Sequence, residues 1–176
     1  MATEQPIEQE IAGTGSTAGE RVLTDEMIAQ IKSYFPRYPT RQAVTLPALH
    51  VVNEHLRHVP LAAVVEVAQL LDLTPAQVQD TLSFYQFFWQ AAPHGRTRVW
   101  VCRSISCALR DGERLLDYLC DRLGIRPGET TPDGKVTVEA AECLGACEFA
   151  PCMLAGERLL TNMTEEKIDD FLTSLE

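Results

Sequence analysis

Four cysteines in the second half of the chain stand in two closely spaced pairs. Cys102 and Cys107 lie in V-C-R-S-I-S-C, and Cys143 and Cys147 lie in E-C-L-G-A-C, so 35 residues separate a C-x4-C motif from a C-x3-C motif. A [2Fe–2S] cluster takes four thiolate ligands, and two loops that carry one pair each supply them. The residue types and their spacing therefore predict a [2Fe–2S] centre that transfers single electrons.

A zinc site with four thiolate ligands is the main alternative that the spacing leaves open, because zinc ligands also occur roughly two to four residues apart. Gly145 favours the iron–sulfur reading, since a small residue between two ligands lets backbone amides approach sulfur. A redox dithiol is disfavoured because no C-x-x-C motif occurs. A Rieske-type centre needs two histidine ligands, and His50, His55, His58 and His94 all precede the cysteine loops.

Two further cysteines lie outside these pairs. Cys120 falls on the apolar stripe of a predicted helix, so we expect it to be a thiol of the hydrophobic core. Cys152 follows Cys147 by five residues, which leaves room for ligand exchange or for a contact with a ligand. Neither residue is counted among the ligands, and one cluster per chain is predicted.

The composition is that of an ordinary globular protein, with 45% apolar and 23% charged residues. No apolar stretch approaches the length of a membrane span, so we expect a soluble chain that does not insert into a membrane. The net charge of -10 argues against a nucleic-acid partner, because such partners require a basic surface.

The first 20 residues contain four glutamates and neither Lys nor Arg. We predict that residues 1–22 form a disordered acidic tail. The segment has neither the basic start and apolar core of a secretory signal nor the arginines of a mitochondrial presequence. We therefore expect a reducing compartment, where cysteines serve as ligands or core residues rather than as disulfides.

Residues 23–90 carry helical signals, which predict a helical bundle. Thr24 is a candidate N-cap, and T-P-A-Q at 74–77 combines an N-cap threonine with proline at N1 and glutamine at N3. Between these two starts, helical spacing of apolar residues predicts segments from Thr40 to His58 and from Pro60 to Leu71. In the first of these, Pro47 marks either a kink or the true start of the helix.

The bundle is followed by an aromatic segment, S-F-Y-Q-F-F-W-Q at 83–90, with five aromatic residues in six positions. Core packing between two structural units is the interpretation that we favour, because aromatic side chains dominate many buried contacts. An exposed interface or a stacking surface for a flat ligand is the alternative.

Residues 91–176 show alternating strand and helix signals, which predict a small sheet covered by helices. Each cysteine pair follows a predicted strand, and the carboxyl ends of parallel strands meet at one edge of a sheet. The order strand–helix–three strands–helix is similar to a reduced thioredoxin fold. The predicted elements are strands at 98–102 and 135–142, a helix at 108–123 closed by Gly124, two short strands around A-G-E at 155–157, and a final helix capped by Thr164.

Motifs for nucleotide binding do not accompany the cysteines: the sequence has no G-x-G-x-x-G and no Walker loop. A lone cluster carries one electron and performs no bond chemistry. The chain is therefore expected to take electrons from a partner that binds the nucleotide.

Several motifs resemble signatures of the small [2Fe–2S] subunit of NADH:quinone oxidoreductase, respiratory complex I, which is a thioredoxin-like ferredoxin. The resemblance runs from about Asp25 to Leu172 and follows the order of the family. Its motifs are L-P-A-L-H-V-V at 46–52, L-T-P-A-Q-V at 73–78, S-F-Y at 83–85, V-C-R-S-I-S-C at 101–107 and E-C-L-G-A-C-E-F-A-P at 142–151.

The resemblance implies an α/β fold in which an N-terminal helical bundle precedes a thioredoxin-like [2Fe–2S] ferredoxin domain. It places the cluster on Cys102, Cys107, Cys143 and Cys147, and it implies a flavin-containing, NADH-oxidising partner subunit that holds FMN and NADH. The expected location is the cytoplasmic side of a bacterial membrane complex, in its peripheral arm. The same module resembles diaphorase subunits of NAD-linked hydrogenases and formate dehydrogenases, and a zinc-stabilised interaction module is a further alternative.

Overall fold

The computed structural model describes residues 21–175, so the predicted acidic tail lies outside the described residues except for its last two positions. The described part contains a helical region followed by a small sheet with covering helices. The helices are α1 (Asp25–Ser33), α2 (Thr45–Leu56), α3 (Leu61–Leu71), α4 (Pro75–Phe84), α5 (Ile105–Ala108), α6 (Gly112–Leu123) and α7 (Glu165–Thr173). The strands are β1 (Thr97–Cys102), β2 (Val136–Ala141), β3 (Met153–Ala155) and β4 (Arg158–Leu160).

Local capping explains where the first four helices begin. The Thr24 side chain accepts a hydrogen bond from the Met27 N–H at 3.2 Å, and Thr74 forms a complete capping box with Gln77. Helix α2 starts at Thr45, so Pro47 lies in its first turn, where a missing N–H costs no intrahelical hydrogen bond. The predicted segment from Thr40 is therefore helical from Thr45 onward.

The four helices of the N-terminal region share one apolar core. Its side chains become buried because α1 to α4 each present an apolar face to the same interior. Glu66 on α3 ties down the incoming chain, since its carboxylate accepts hydrogen bonds from the N–H groups of Val22 and Leu23 at 2.8 Å each. The fully buried members include Leu23, Met27, Ile31, Leu49, Val52, Val64, Val67, Leu71 and Val78.

The sheet has the strand order β2-β1-β3-β4. Strand β1 pairs in parallel with β2 and antiparallel with β3, and β3 pairs antiparallel with β4. Side chains alternate along β1, so that Val99 and Val101 enter an apolar core with α6 and α7. Helices before a small mixed sheet confirm the predicted fold class.

The predicted single helix from 108 to 123 is wrong at its start. The chain instead makes the short helix α5, breaks at Asp111, and begins α6 at Gly112. Asp111 has a left-handed backbone with φ of 64°, which a continuous helix does not permit. The predicted end is confirmed, because Gly124 caps α6 in a left-handed conformation.

The aromatic segment at 83–90 joins the helical region to the sheet. The ring of Phe87 packs on Trp100 with centroids 5.6 Å apart, and the Trp89 indole N–H donates to Glu139 Oε1 at 3.1 Å. Phe88 is buried, whereas Phe84 is 79% exposed and Tyr85 is 40% exposed. Core packing is thus confirmed for the last three aromatic residues and is wrong for the first two.

Within residues 21–175, no single helix combines the length and the apolar character needed to cross a membrane. Only α3 and α4 taken together pass that test, as a pair bent by 119°.

Candidate metal centre

The first predicted ligand pair lies at the carboxyl end of β1. Cys102 is the last residue of this strand, and Cys107 sits on α5, which begins directly after the connecting turn. The Cys107 N–H donates to the Ser104 carbonyl at 2.9 Å and so closes the turn. Both thiols are buried, which removes them from solvent and positions them beside each other.

Cys152 lies with this first pair, although it was not predicted to be a ligand. The Sγ atoms of Cys107 and Cys152 are 3.7 Å apart, and the sulfurs of Cys102, Cys107 and Cys152 all lie within 4.8 Å of one another. The Cys102 N–H donates to the Cys152 carbonyl at 3.1 Å, so the two residues are cross-strand neighbours. The sequence signal is the short strand that begins at Met153, but its pairing partner is set by the tertiary fold.

The second predicted pair follows β2. The Sγ atoms of Cys143 and Cys147 are 3.9 Å apart, and both residues are exposed. Gly145 lies between them with φ of 76°, a backbone conformation that favours glycine. Its N–H points at the Cys143 sulfur with an N–S distance of 3.4 Å, as expected from a small residue at this position.

The parallel pairing of β1 with β2 brings the two pairs to the same edge of the sheet. Cys102 is in register with Ala141, and the Arg103 N–H donates to the Ala141 carbonyl at 2.9 Å. The Cys102 sulfur lies 3.5 Å from the carbonyl oxygen of Glu142, the residue directly before Cys143. The prediction that the carboxyl ends of parallel strands bring the loops together is confirmed.

The sulfur spacing provides a test of whether these residues fit a thiolate-bound metal. Two thiolates on one tetrahedral metal, with metal–sulfur bonds of about 2.3 Å, lie about 3.8 Å apart. The Cys143–Cys147 distance of 3.9 Å and the Cys107–Cys152 distance of 3.7 Å both agree with this value. The donor set therefore suits two tetrahedral metal positions, one at each strand end.

A glycine supports the first pair from behind. Gly112, the first residue of α6, lies so close to the backbone of Cys102 and Cys107 that a Cβ would collide with it. This residue was not singled out from the sequence. Its only signal there was a glycine within a predicted helix.

The environment of the buried thiols separates their acidities. Burial raises the pKa of Cys102, but hydrogen bonds from the backbone of Ser104, from Cys107 and from the backbone of Leu144 outweigh it and leave a lowered pKa. Burial, followed by the neighbouring Cys102, raises the pKa of Cys107. Burial and then Cys107 raise the pKa of Cys152 to about 12. Cys102 is therefore the first of the three to become a thiolate.

Apolar side chains stand exposed next to the cysteines. Ile105 on α5 is 74% exposed, Leu109 after it is 82% exposed, and Phe149 in the turn that begins at Cys147 is 47% exposed. The Arg110 side chain donates to the Ala150 carbonyl at 3.2 Å and holds the two segments together. These three side chains are called the apolar rim below.

The remaining candidates occupy other places. Among the described residues, the thiol group contains no histidine, and His50 instead packs on Phe87 and Phe88 with ring centroids 5.1 Å away in each case. Cys120 is buried in the apolar core beneath the sheet, as predicted. Burial and the nearby Asp117 raise the pKa of its thiol to about 11.

Parallel strand ends that carry two thiol pairs on a small helix-covered sheet define a thioredoxin-like protein with a cysteine-bound metal centre. The sequence profile of the thioredoxin-like [2Fe–2S] ferredoxin family matches residues 31–176. The chain belongs to this family, and its cofactor is one [2Fe–2S] cluster.

Two relatives cover most of their own length with this chain. The type-E subunit 2 of NADH-quinone oxidoreductase from Rhizobium meliloti (strain 1021) is 39% identical over 148 residues, which are 84% of this chain and 88% of the relative. NADH-quinone oxidoreductase subunit 2 of Thermus thermophilus is 35% identical over 148 residues, which are 82% of this chain and 81% of the relative.

One solved structure extends the likeness to a different enzyme. A chain of an NAD+-reducing [NiFe]-hydrogenase in the H2-reduced state superposes with a TM-score of 0.66 at 25% identity. The match covers 78% of this chain but only 23% of the hydrogenase chain. The module is therefore shared by proteins of different overall activity.

Proposed function

We propose that this protein is the electron-transfer subunit of an NADH:quinone oxidoreductase of the complex I type. One observation carries the proposal: a chain with two thiol pairs at adjacent strand ends spans 88% of an NADH-quinone oxidoreductase subunit from Rhizobium meliloti, at 39% identity. A [2Fe–2S] cluster supplies one-electron chemistry, and the protein supplies thiolates, hydrogen bonds to sulfur and exclusion of water.

The ligands that we propose are Cys102 and Cys107 for one iron and Cys143 and Cys147 for the other. Burial of the first pair shields its side of the site from water. Exposure of the second pair leaves its side open to a protein partner. The Gly145 N–H beside the Cys143 sulfur would stabilise negative charge on that ligand.

The partner that we propose is the flavin-containing, NADH-oxidising subunit, which would hold FMN and NADH. The apolar rim supports this proposal, because Ile105, Leu109 and Phe149 are large apolar side chains exposed beside the open thiol pair. A subunit docked there would bring its flavin close to the cluster. The location that we propose is the peripheral arm, on the cytoplasmic side of a bacterial membrane.

The domain organisation that we propose is an acidic tail at 1–22, a helical bundle at 23–90 and a thioredoxin-like domain at 91–176. The presence of two separate apolar cores, one among the first four helices and one under the sheet, supports the boundary near residue 90. Limited proteolysis of the full chain tests it: stable fragments that begin near residue 20 and near residue 91 are expected.

The cluster itself is tested by metal and sulfide analysis of the full chain purified without oxygen. We expect about two irons and two acid-labile sulfides per chain, with an axial electron paramagnetic resonance signal after dithionite reduction. One zinc with no sulfide would overturn the proposal and would support the zinc-stabilised interaction module instead.

The partner is tested by co-expression with the flavin-bearing chain whose gene neighbours this one. We expect the two chains to co-purify and NADH to reduce the cluster only when the flavin chain is present. A cluster-containing chain that neither binds the flavin chain nor accepts electrons from it would overturn the subunit assignment but not the cofactor.

A second candidate function is the diaphorase subunit of an NAD-linked hydrogenase. The superposition on the NAD+-reducing [NiFe]-hydrogenase chain with a TM-score of 0.66 favours it. The neighbouring genes separate the two candidates: membrane-pump subunits support the first, and a hydrogenase large subunit supports the second.

A further inference from the structure

Cys152 shares a buried cluster with two of the proposed ligands but is not needed to complete a set of four. We propose that Cys152 is a reserve ligand, whose sulfur replaces that of Cys107 when the bond from Cys107 to iron is lost. This inference deepens the proposed function and rests on the ligand set given there.

The sulfur positions carry the proposal. The Sγ atoms of Cys107 and Cys152 are 3.7 Å apart, and both lie within 4.8 Å of the Cys102 sulfur. Any two of the three thiols are therefore near enough to share a metal, since two thiolates on one tetrahedral metal lie about 3.8 Å apart. An exchange of Cys107 for Cys152 needs a shift of a side chain and no refolding of the backbone.

The backbone of Cys152 is fixed in a way that favours this exchange. Strand β3 continues the antiparallel register of β1, in which Val101 faces Met153, so Cys152 faces Cys102 across the ladder. Side chains opposite each other in an antiparallel pair point to the same face of the sheet. The hydrogen bond from the Cys102 N–H to the Cys152 carbonyl, at 3.1 Å, anchors this arrangement.

The neighbours of Cys152 leave it facing the other two thiols. Cys102, Cys107 and Cys152 form one small buried cluster with Ala146 and Ala150, whose side chains are single methyl groups. Each of the three cysteines is only 2% exposed, so solvent does not compete for the vacated position.

The exchange balances without any change of oxidation state. The Cys152 thiol releases its proton and its sulfur forms the bond to iron, while the bond from Cys107 breaks and the Cys107 thiolate takes up one proton. The number of thiolates on the metal and the charge of the site stay the same.

The second pair has no such reserve among the described residues. Cys120 is the only cysteine left over, and it packs in the apolar core beneath the sheet. The site is therefore asymmetric, with three thiols at the end of β1 and two after β2. This asymmetry provides a matched control within one protein.

The first experiment measures the rate at which a ferrous chelator bleaches the visible absorbance of the full, cluster-loaded chain. Cys152→Ser is compared with Cys120→Ser, which removes the other buried cysteine that is not a proposed ligand. We expect Cys152→Ser to bleach several-fold faster and Cys120→Ser to bleach at the wild-type rate. Equal rates for the two variants would overturn the proposal, whatever the partner of the protein.

The second experiment measures iron and sulfide per folded chain when the Cys107 ligand is deleted. We expect Cys107→Ala to retain most of the cluster with a shifted absorption spectrum, and Cys107→Ala/Cys152→Ala to lose it. Cys143→Ala, which has no reserve thiol, should also lose the cluster. Equal loss in Cys107→Ala and Cys143→Ala would contradict a reserve role, whereas a wild-type chain without a cluster would instead contradict the proposed function.

Discussion

Gly112 lies directly behind Cys107. A Cβ built on Gly112 would lie 2.8 Å from the carbonyl oxygen of Cys107 and 2.9 Å from its carbonyl carbon. It would also lie 3.0 Å from the carbonyl oxygen of Cys102. These are backbone atoms, which cannot rotate aside as the end of a flexible side chain can. The absence of a side chain at position 112 therefore fixes how closely α6 approaches the first thiol pair.

Gly112→Ala is expected to push α5 and the first thiol pair away from α6. The cost of such overpacking is roughly 1–3 kcal/mol of the free energy of unfolding. We expect a lower iron and sulfide content per chain together with a lower melting temperature, measured by metal analysis and by circular dichroism.

Gly124→Ala is the matched control at the other end of the same helix. Gly124 has φ of +68° and no atom within 4 Å of a built Cβ, so alanine there introduces backbone strain without a collision. We expect a cost of about 1 kcal/mol and a full complement of iron. Equal iron contents in the two variants would show that close packing at position 112 does not hold the thiols.

Cys143→Ser is expected to weaken or abolish cluster binding, because a serine oxygen is a poorer ligand for iron than a thiolate. The visible absorbance and the iron content of the anaerobically purified chain measure this effect. Cys120→Ser provides the comparison, since Cys120 lies in the apolar core and should leave both quantities unchanged. An unchanged spectrum in Cys143→Ser would show that the ligand assignment at this position is wrong.

Glu139→Gln is expected to loosen the junction between the aromatic segment and the sheet. The Glu139 carboxylate pairs with Arg98 and accepts hydrogen bonds from the indole N–H groups of Trp89 at 3.1 Å and Trp100 at 2.6 Å. Loss of a charged acceptor with these partners costs roughly 1–3 kcal/mol. Urea unfolding of the variant and the wild type at neutral pH measures the difference.

The same variant predicts a pH dependence. Burial raises the pKa of Glu139, but hydrogen bonds from Arg98 and Trp100 outweigh it, so the folded-state pKa lies below the usual value. Its stabilising contribution is therefore complete above the unfolded pKa of about 4.3 and is lost as the pH falls through the folded pKa. We expect the stability difference between wild type and Glu139→Gln to be constant near neutral pH and to shrink in acid. A difference that grows in acid would contradict this sign.

Leu109→Asp tests the apolar rim as the docking surface. Leu109 is 82% exposed, so aspartate should not harm folding, but it would place a charge in a desolvated interface. We expect at least about tenfold weaker binding to the flavin subunit, measured by titration of the loaded chain. Leu61→Asp, at a residue of the helical region that is 66% exposed, should bind as the wild type does. Equal loss in both variants would move the interface away from the rim.

Much of the fold could be predicted because its signals are local. Thr24, Thr74 and Thr164 all accept the N-cap hydrogen bonds that their positions predict. The edge of the sheet where the two thiol pairs meet followed from strand order and from the geometry of parallel strands. These features depend on a few consecutive residues or on a general rule.

The features that the sequence did not reveal depend on contacts between distant residues. Cys152 faces Cys102 only because β3 pairs antiparallel with β1, 50 residues away along the chain. The break at Asp111 reflects the collision that a side chain at 112 would have with the backbone of Cys107, which helical periodicity does not report. Exposure of Phe84 and Tyr85 likewise depends on which face of the aromatic segment the sheet covers.

The parallel pairing of β1 with β2 also sets an order of events during synthesis. Cys102 leaves the ribosome well before Cys143 and Cys147, and the strands that bring them together pair only after β2 has emerged. A nascent chain that ends before Cys143 offers only the early thiols and no second pair to complete four ligands. Loading with iron and sulfide must therefore wait until nearly the whole protein has been made, and a trapped shorter chain should emerge colourless.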